Sequence, residues 1–428
     1  MTRHLHQYIL VALVVWALAI QMPSRAHQAD TSSSPLINLS LNLLAAGGGS
    51  TADPADLELF QSGKHDPKQN GFTLQGAEIS LSGRVDPFFA AAHVVADADH
   101  VELEEAYLTS ALGSDALELK VGQYLTEFGL INSTHPHSWD WIDQPFIATR
   151  LLGPEGLRSA GARVAWQTQL PGTPLLIFGA QNADHSSAIS FLGADHEFHH
   201  AVPESNHHDH TGEDDGEIHL ISMAGGTVGG RPSIIRDPES VDELLFSGRF
   251  EQKVIDSETT GLKIGISALW GPNSSSEDGE TQIHGADISL DLYRPGPQMP
   301  ERWLRWQTEI MSREFRCGEL AIPLASEYLT FPSETIRDWG IYSQIALSFL
   351  PRWETGLRIE YASGNDAGVI ERDDDPLRAD RWRISPLVAF RPSEHVRIRL
   401  QYNYDESDAP PDSAHTVWVG IDGSLGTH

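Results

Sequence analysis

Residues 395–404 read His395-Val396-Arg397-Ile398-Arg399-Leu400-Gln401-Tyr402-Asn403-Tyr404, an uninterrupted alternation of apolar and polar side chains. A period of two is typical of an extended strand, on which successive side chains point to opposite faces. A strand of a soluble sandwich has this pattern with the apolar face turned towards the core. A transmembrane barrel strand has the same pattern with the apolar face towards lipid and the polar face towards a wet lumen.

The same alternation recurs along most of the chain, and no helical period is sustained in its first part. We count about 16 candidate strands, an even number of the kind found in bacterial barrels. Alternation is present in Leu36–Leu43, Gly71–Arg84, Phe246–Glu251, Leu262–Ser267, Ala286–Leu292, Leu304–Ile310, Leu357–Tyr361 and Val417–Ile421, and further short strands are predicted at Phe88–Ala96, Val101–Leu108 and Leu117–Tyr124.

The residues opposite the apolar faces favour a barrel over a soluble fold. Arg, Lys and Glu recur on those faces, and each would cost several kcal/mol in a dry core unless it were paired. Aromatic residues lie near many strand ends, where barrels carry interfacial girdles: Trp166, Trp270, Trp303, Trp339, Trp353, Trp382, Phe390 and Trp418. We therefore predict an all-β protein, a single transmembrane antiparallel β-barrel, with a soluble β protein as the alternative.

The beginning of the chain has the features of a secretory signal. Arg3, His4 and His6 precede an apolar run, and the small residues of Pro23–Ala26 suit a signal peptidase. We predict a signal peptide over residues 1–26 and an outer-membrane barrel over residues 27–428, hence a location in the outer membrane. An uncleaved N-terminal anchor is the alternative, although the apolar run is short for a spanning helix.

Charge and cysteine content narrow the partners. The formal net charge of −31 argues against a nucleic-acid partner, which would require a basic footprint. The single Cys317 cannot form an internal disulfide and is predicted to be a packing residue. Acidic runs such as Glu371–Asp375 and Asp405–Asp412 are predicted to be solvated connections, which divalent cations could bridge to anionic lipopolysaccharide beside the outer-membrane lipid.

Three segments carry a resemblance to a known family. They are Val101-Glu102-Leu103-Glu104-Glu105-Ala106-Tyr107-Leu108, Leu119-Lys120-Val121-Gly122-Gln123-Tyr124 and His135-Pro136-His137-Ser138-Trp139-Asp140-Trp141-Ile142-Asp143-Gln144-Pro145-Phe146. The chain resembles Gram-negative outer-membrane barrels of the porin O and P type, and within them the group labelled zinc-regulated outer-membrane, or TonB-dependent-receptor-like, proteins. The receptor label conflicts with the length, because the 428 − 26 = 402 residues of the predicted mature chain cannot supply a plug and a barrel of about 22 strands.

The longest irregular stretch, residues 182–238, is rich in histidine and acidic residues. Imidazole and carboxylate groups are ligands for zinc, copper or nickel, and no fixed spacing indicates a rigid cage. We predict a loop that collects a divalent metal, zinc first, with a merely polar loop as the alternative; no cofactor is required. The candidate ligands are His185, Asp195, His196, His199, His200, His207, His208, Asp209, His210 and His219.

A second loop, residues 132–156, is rich in Trp, Pro and His. Pro136 holds its two neighbouring histidines extended. We predict that this loop folds into the barrel, where it constricts the lumen or caps one end, and that its side chains are mainly structural; metal binding is the alternative. The constriction candidates are His135, His137, Trp139, Asp140 and Asp143.

The charged residues of the polar strand faces are predicted to line the pore. Acids and bases are mixed, so strong anion selectivity is not expected; the charges either order small polar solutes in a transverse field or pair across strands. The pore-lining candidates are Arg84, Arg163, Arg249, Lys263, Arg305, Glu309, Arg358, Glu360, Arg397 and Arg399, joined by Glu78, Glu251 and Asp287.

These observations predict a porin-like channel for passive or facilitated diffusion of small solutes, as a monomer or a homotrimer. We expect no enzyme, because the sequence contains no Gly-x-Ser-x-Gly elbow, no His-Glu-x-x-His and no phosphate-binding Gly-Lys motif. The alternative is a surface metal-binding or adhesive protein that uses the barrel only as an anchor.

Overall fold

Sixteen antiparallel strands close into one barrel in the computed structural model. The structure describes residues 36–113, 116–195, 220–221, 228–234, 236, 238, 240–294, 301–323 and 328–426. The predicted signal peptide lies outside the described residues. The prediction of an all-β barrel of about 16 strands is confirmed.

Each strand pairs with its neighbours in chain order, and the last strand pairs with the first. The strands are β1 (Leu36–Ser50), β2 (Gly71–Val85), β3 (Phe88–Ala96), β4 (Val101–Ala111), β5 (Leu117–Leu125), β6 (Arg158–Gln167), β7 (Leu175–Gln181), β8 (Leu245–Asp256), β9 (Thr260–Pro272), β10 (Glu280–Arg294), β11 (Glu301–Cys317), β12 (Glu334–Leu350), β13 (Trp353–Gly364), β14 (Arg381–Ser393), β15 (Val396–Ser407) and β16 (Ser413–Gly426).

The two ends of the barrel differ in the length of their connections. One end carries short turns, such as residues 86–87 and 351–352, and the other carries the long loops, which include residues 51–70, 126–157 and 182–244. Outer-membrane barrels have this asymmetry, with short periplasmic turns and long extracellular loops.

Little regular structure lies outside the barrel strands in the described part of the chain. The two α-helices are α1 (Pro54–Phe60) and α2 (Phe146–Leu152). Two pairs of short strands form separate sheets, Leu220–Ile221 with Ser233–Ile234 and Leu320–Pro323 with Tyr328–Phe331. No helix among the described residues is long and apolar enough to cross a membrane.

The barrel is apolar outside and polar inside. On β15, Ile398 and Leu400 are 37% and 50% exposed, whereas Arg397 and Arg399 are 7% and 0% exposed. This arrangement is the inverse of a soluble sandwich strand, in which the aliphatic side chains would be buried. An exposed aliphatic surface of this extent marks a contact with lipid or with another protein.

Aromatic side chains on the outer surface form two belts near the strand ends. Towards the short turns, the rings of Trp353 and Phe390 lie 4.6 Å apart. Towards the long loops, contacts join Phe246 to Trp270, Trp339 to Tyr361 and Trp382 to Tyr404. Such belts lie at the levels of the two membrane–water interfaces in membrane proteins.

Trp418 does not belong to these belts, and its assignment to a girdle is wrong. Its neighbours Val417 and Val419 occupy the outer face, so the alternation turns Trp418 inward, where it is fully buried. It packs there with Leu57 and Ile142, two residues of the infolded loops.

The outward apolar face can be tested with a charge. Leu400 lies on β15 between the two belts, and Leu400→Arg should reduce the free energy of folding into lipid vesicles by about 2–4 kcal/mol, because arginine is costly near the bilayer midplane. Urea titrations followed by heat-modifiable gel mobility measure the change. Glu406→Arg, exposed on the same face but at the loop end of β15, is the matched control and should cost much less. Equal, small effects at both positions would contradict a lipid-facing surface.

Candidate functional site: a loop folded across the barrel

The third connection at the long-loop end, residues 126–157, follows residues 51–70 and 97–100 and crosses the barrel interior; it is called the third loop below. It leaves the wall at β5 and contacts β13 to β16, and β13 stands eight strands from β5 in a ring of sixteen. The backbone N–H of Phe146 donates to Glu360 on β13 at 2.8 Å, and the indole N–H of Trp141 donates to the carbonyl of Ser385 on β14 at 3.0 Å. The loop therefore lies in the barrel interior, and its role in constricting the lumen stays a prediction.

Asp143 attaches the loop to the far wall. Its carboxylate pairs with Arg358, and it accepts a hydrogen bond from Arg383 Nη1 at 3.0 Å. The amides of Gln401 and Asn403 donate to it at 2.7 and 2.8 Å. Burial raises the pKa of Asp143, but the charges of the two arginines outweigh that effect and bring the pKa below its usual range.

Arginines on β15 attach the loop through its backbone. Arg399 is fully buried and donates to the carbonyls of Trp139 and Trp141, while its other nitrogen pairs with Asp422 at 2.6 Å. Arg397 pairs with Asp422 at 2.6 Å and donates to the carbonyl of His137. These arginines satisfy loop carbonyls that would otherwise be buried without a donor.

The first long loop, residues 51–70, also folds inward and supports the third. Arg381 and Arg383 both donate to the carbonyl of Phe60 at the end of α1, at 2.7 and 2.5 Å. Asp66 accepts the backbone N–H of Gln144 at 3.0 Å. Burial, and then the neighbouring Asp143, raise the pKa of Asp66 to about 6.

A cavity of about 50 Å³, open in part to solvent, lies between the third loop and the wall. Its charged lining comes from Asp140 and Asp143 on the loop and from Arg305 and Arg358 on the strands. Gln307 and Gln344 contribute neutral polar groups, joined by a hydrogen bond of 2.8 Å. Arg305 pairs with Asp291 at 3.0 Å and lies 3.7 Å from Asp140.

On the other side of the loop, histidines meet carboxylates of β2 and β4. His135 contacts Glu104 through Nδ1 at 3.0 Å and Glu105 through Nε2 at 2.9 Å. His137 Nδ1 lies 3.0 Å from Glu78 Oε2. Burial lowers the pKa of His135, but the hydrogen bonds to the two glutamates and the charge of Glu78 raise it well above its usual value.

Most of the remaining pore-lining candidates lie inside the barrel and are paired. Arg163 contacts Glu118 and Glu127, Arg249 contacts Asp287 and Glu251, and Arg358 contacts Glu360. Glu309 is fully buried and accepts from Tyr342 and from the backbone of Leu130. Lys263 is half-exposed, 3.7 Å from Glu251. Arg84 lies exposed at the short-turn end, beside the ring of Phe89.

Metal binding by the histidine-rich loop stays a prediction. His185 is described, and its Nδ1 accepts the backbone N–H of Ser187 at 3.1 Å. The backbone of Asp195 ends a short 3₁₀ turn. The other candidate ligands lie outside the described residues: His196, His199, His200, His207, His208, Asp209, His210 and His219.

Several buried interior residues were not predicted from the sequence. The acidic run that contains Asp405 is predicted to be solvated, but Asp405 is buried on β15 and accepts hydrogen bonds from Arg381 and Arg383, so that prediction is wrong. Glu104 and Glu105 are consecutive, yet both are buried, because a β-bulge shifts the register between His93 and Val94 on the paired strand. The signal was the double acid itself, since strict alternation would place one of the pair on the lipid-facing side.

The attachment at Asp143 can be tested by removal. Asp143→Ala leaves Arg358 and Arg383 buried without one of their partners, which should lower the free energy of unfolding by about 3–5 kcal/mol. Denaturant titration of the refolded barrel measures the loss. Asp140→Ala is the control on the same loop, since its contacts to Arg302 and Arg305 are both 3.7 Å long; it should cost less than about 1 kcal/mol. Equal losses would show that Asp143 is not the main attachment.

Comparison with known proteins gives relatives of the sequence and of the fold. No family model matches the chain. An uncharacterized protein of Aquifex aeolicus (strain VF5) is 27% identical over 369 residues, which cover 82% of this chain and 67% of the relative.

Solved barrels share the architecture at low identity. The outer membrane channel DcaP of Acinetobacter baumannii aligns with a TM-score of 0.51 and 10% identity, over 94% of this chain and 99% of that one. The trimer form of in-vitro folded OmpT from Vibrio cholerae aligns with a TM-score of 0.50 and 6% identity, over 92% and 100%. The loop L8 deletion mutant of the same OmpT aligns with a TM-score of 0.50 and 8% identity, over 91% and 99%. The chain therefore has the fold of the 16-stranded, porin-like barrels of outer membranes.

Proposed function

We propose that this protein is an outer-membrane channel for the passive or facilitated diffusion of small solutes. The observation that carries the proposal is the combination of a lipid-compatible outer surface with a polar interior crossed by a fixed loop. A barrel that served only as an anchor would not need an interior loop held by Asp143 and by arginines of several strands. Such a loop narrows the passage, and solute size and charge would then be selected at its edge.

The charges beside the cavity suit polar solutes of either sign. Arg305 and Arg358 line the cavity together with Asp140 and Asp143, so a solute at the cavity meets charges of both signs. Opposed charges in a pore of low-dielectric walls produce a transverse field that orients dipolar solutes. Because most of the acids and bases are paired, the net selectivity for anions or cations should be weak.

Four further features of the proposal rest on the sequence and on the similar barrels. Membership of the porin O and P type, and of its zinc-regulated group, rests on the segment around His135–Phe146. A metal-collecting role of the histidine-rich loop rests on its composition alone, and zinc is the first ion to test. A homotrimer is proposed because one of the similar barrels was described as a trimer, and lipopolysaccharide is proposed as a partner of the acidic loops.

Conductance in planar lipid bilayers tests the proposal. The refolded protein should insert and give discrete ion currents, and Arg305→Gln should move the zero-current potential in a salt gradient towards cation selectivity, because it removes a cavity cation. The matched control Arg337→Gln removes an exposed arginine at the loop end of β12 that does not line the cavity, and it should leave the potential unchanged. A correctly folded barrel that gives no currents would contradict a channel and favour the anchor.

A further inference from the structure

The acid–histidine corner between the third loop and the wall differs from the rest of the described interior. It contains Glu78 on β2, His93 on β3, Glu104 and Glu105 on β4, and His135 and His137 on the loop. Within the described part of the chain, the three glutamates form ion pairs with histidines only. Elsewhere in the interior, carboxylates such as Asp143, Asp405 and Asp422 are paired with arginines.

Charge balance creates a need for a cation in this corner. Glu78, Glu104 and Glu105 are 3%, 3% and 6% exposed, and burying carboxylates without a compensating charge is costly. Two kinds of cation could supply the balance: protons on the histidines, or a metal ion held by the histidines and a carboxylate. Protonated histidines would fit the contacts of His135 with Glu104 and Glu105 at 3.0 and 2.9 Å, whereas the grouping of three ligand atoms around one point favours a metal ion.

Three of these side chains are arranged as ligands of one ion. The ligand atoms of Glu78, His93 and His135 all lie within 4.8 Å of one another. His93 Nδ1 is 3.3 Å from Glu78 Oε1, and His135 Nδ1 is 3.5 Å from Glu78 Oε2. Tetrahedral zinc with bonds of about 2.0–2.1 Å places its ligand atoms about 3.3 Å apart, so only small movements would be needed to enclose the ion.

The surroundings of these ligands match the outer shell of a metal site. Metal-bound histidines commonly donate their second ring N–H to a carboxylate, and His135 Nε2 lies 2.9 Å from Glu105 Oε2. Glu105 is itself held by the backbone N–H of Leu125 at 2.8 Å. Ser80 Oγ donates to Glu78 Oε1 at 2.7 Å, which orients the carboxylate.

We infer that Glu78, His93 and His135 bind a divalent transition-metal ion, zinc or one of similar preference, which ties the third loop to β2 and β3. Mixed imidazole and carboxylate ligands select ions of this class over magnesium and calcium. Glu105 orients His135, and the ion joins the near side of the loop to the wall as Asp143 joins its far side. The site is separate from the histidine-rich loop and does not depend on the channel function.

Cobalt(II) titration of the full-length, chelator-treated barrel in detergent tests the inference. Tetrahedral cobalt has strong visible absorption, and the wild type should bind one equivalent in this form, which zinc displaces. His93→Ala and the near-isosteric Glu78→Gln should each abolish that equivalent, and Glu105→Gln should weaken it by about 10–100-fold. His100→Ala removes an exposed histidine near the same end of the barrel and is the control.

The comparison between variants decides the result, because all of them retain the histidine-rich loop. Heat-modifiable gel mobility confirms that each variant is folded, and Glu78→Gln carries the test if His93→Ala does not fold. An absorption equal in the control and in both ligand variants would assign the bound metal to another part of the chain and overturn the inference. Absence of the tetrahedral spectrum from the wild type would also overturn it and leave protonated histidines as the balancing charge.

Discussion

The attachment of the third loop to the far wall is the interaction on which the interior of this barrel depends. Asp143 accepts hydrogen bonds from two arginines and two amides that belong to β13, β14 and β15. A carboxylate and two guanidinium groups buried together are favourable only when their hydrogen bonds are satisfied in good geometry. That geometry requires the three strands to keep their register. The position of the loop and the arrangement of these strands therefore depend on each other.

The same constraint explains the composition of the strands. A closed sheet in lipid satisfies its backbone groups between strands, so the outer face can be wholly apolar and the inner face can carry charge. Arginines of the inner face pair with carboxylates on neighbouring strands and also donate hydrogen bonds to carbonyls of the infolded loops. Arg383, for example, contacts Asp405 on β15, Asp143 on the third loop and the carbonyl of Phe60 in the first loop. The proposed passage is the space inside the barrel that these contacts leave open.

Local alternation was sufficient to predict the barrel, because the period of two at residues 395–404 already separates lipid-facing from inward-facing side chains. It was not sufficient to predict partners, since Arg358 and Asp143 are 215 residues apart. The errors at Trp418 and Asp405 have related causes. The prediction for Trp418 rests on its residue type and not on its place in the alternation, and the prediction for Asp405 rests on its acidic neighbours. The corner of Glu78, His93 and His135 depends on a bulge and an infolded loop, which no local pattern reveals.

Disulfide trapping tests most directly whether the third loop lies across the barrel. A Cβ added at Gly420 on β16 would lie 3.0 Å from Cγ1 of Ile142 on the loop, which is within the reach of a disulfide between the two positions. In a Cys317→Ser background, Ile142→Cys with Gly420→Cys should cross-link nearly completely on mild oxidation. Ile142→Cys with Gly423→Cys, a position on the same strand with no atom within 4 Å of the added Cβ, should not. Failure of the first pair to cross-link in a folded barrel, or equal cross-linking of both pairs, would contradict the account.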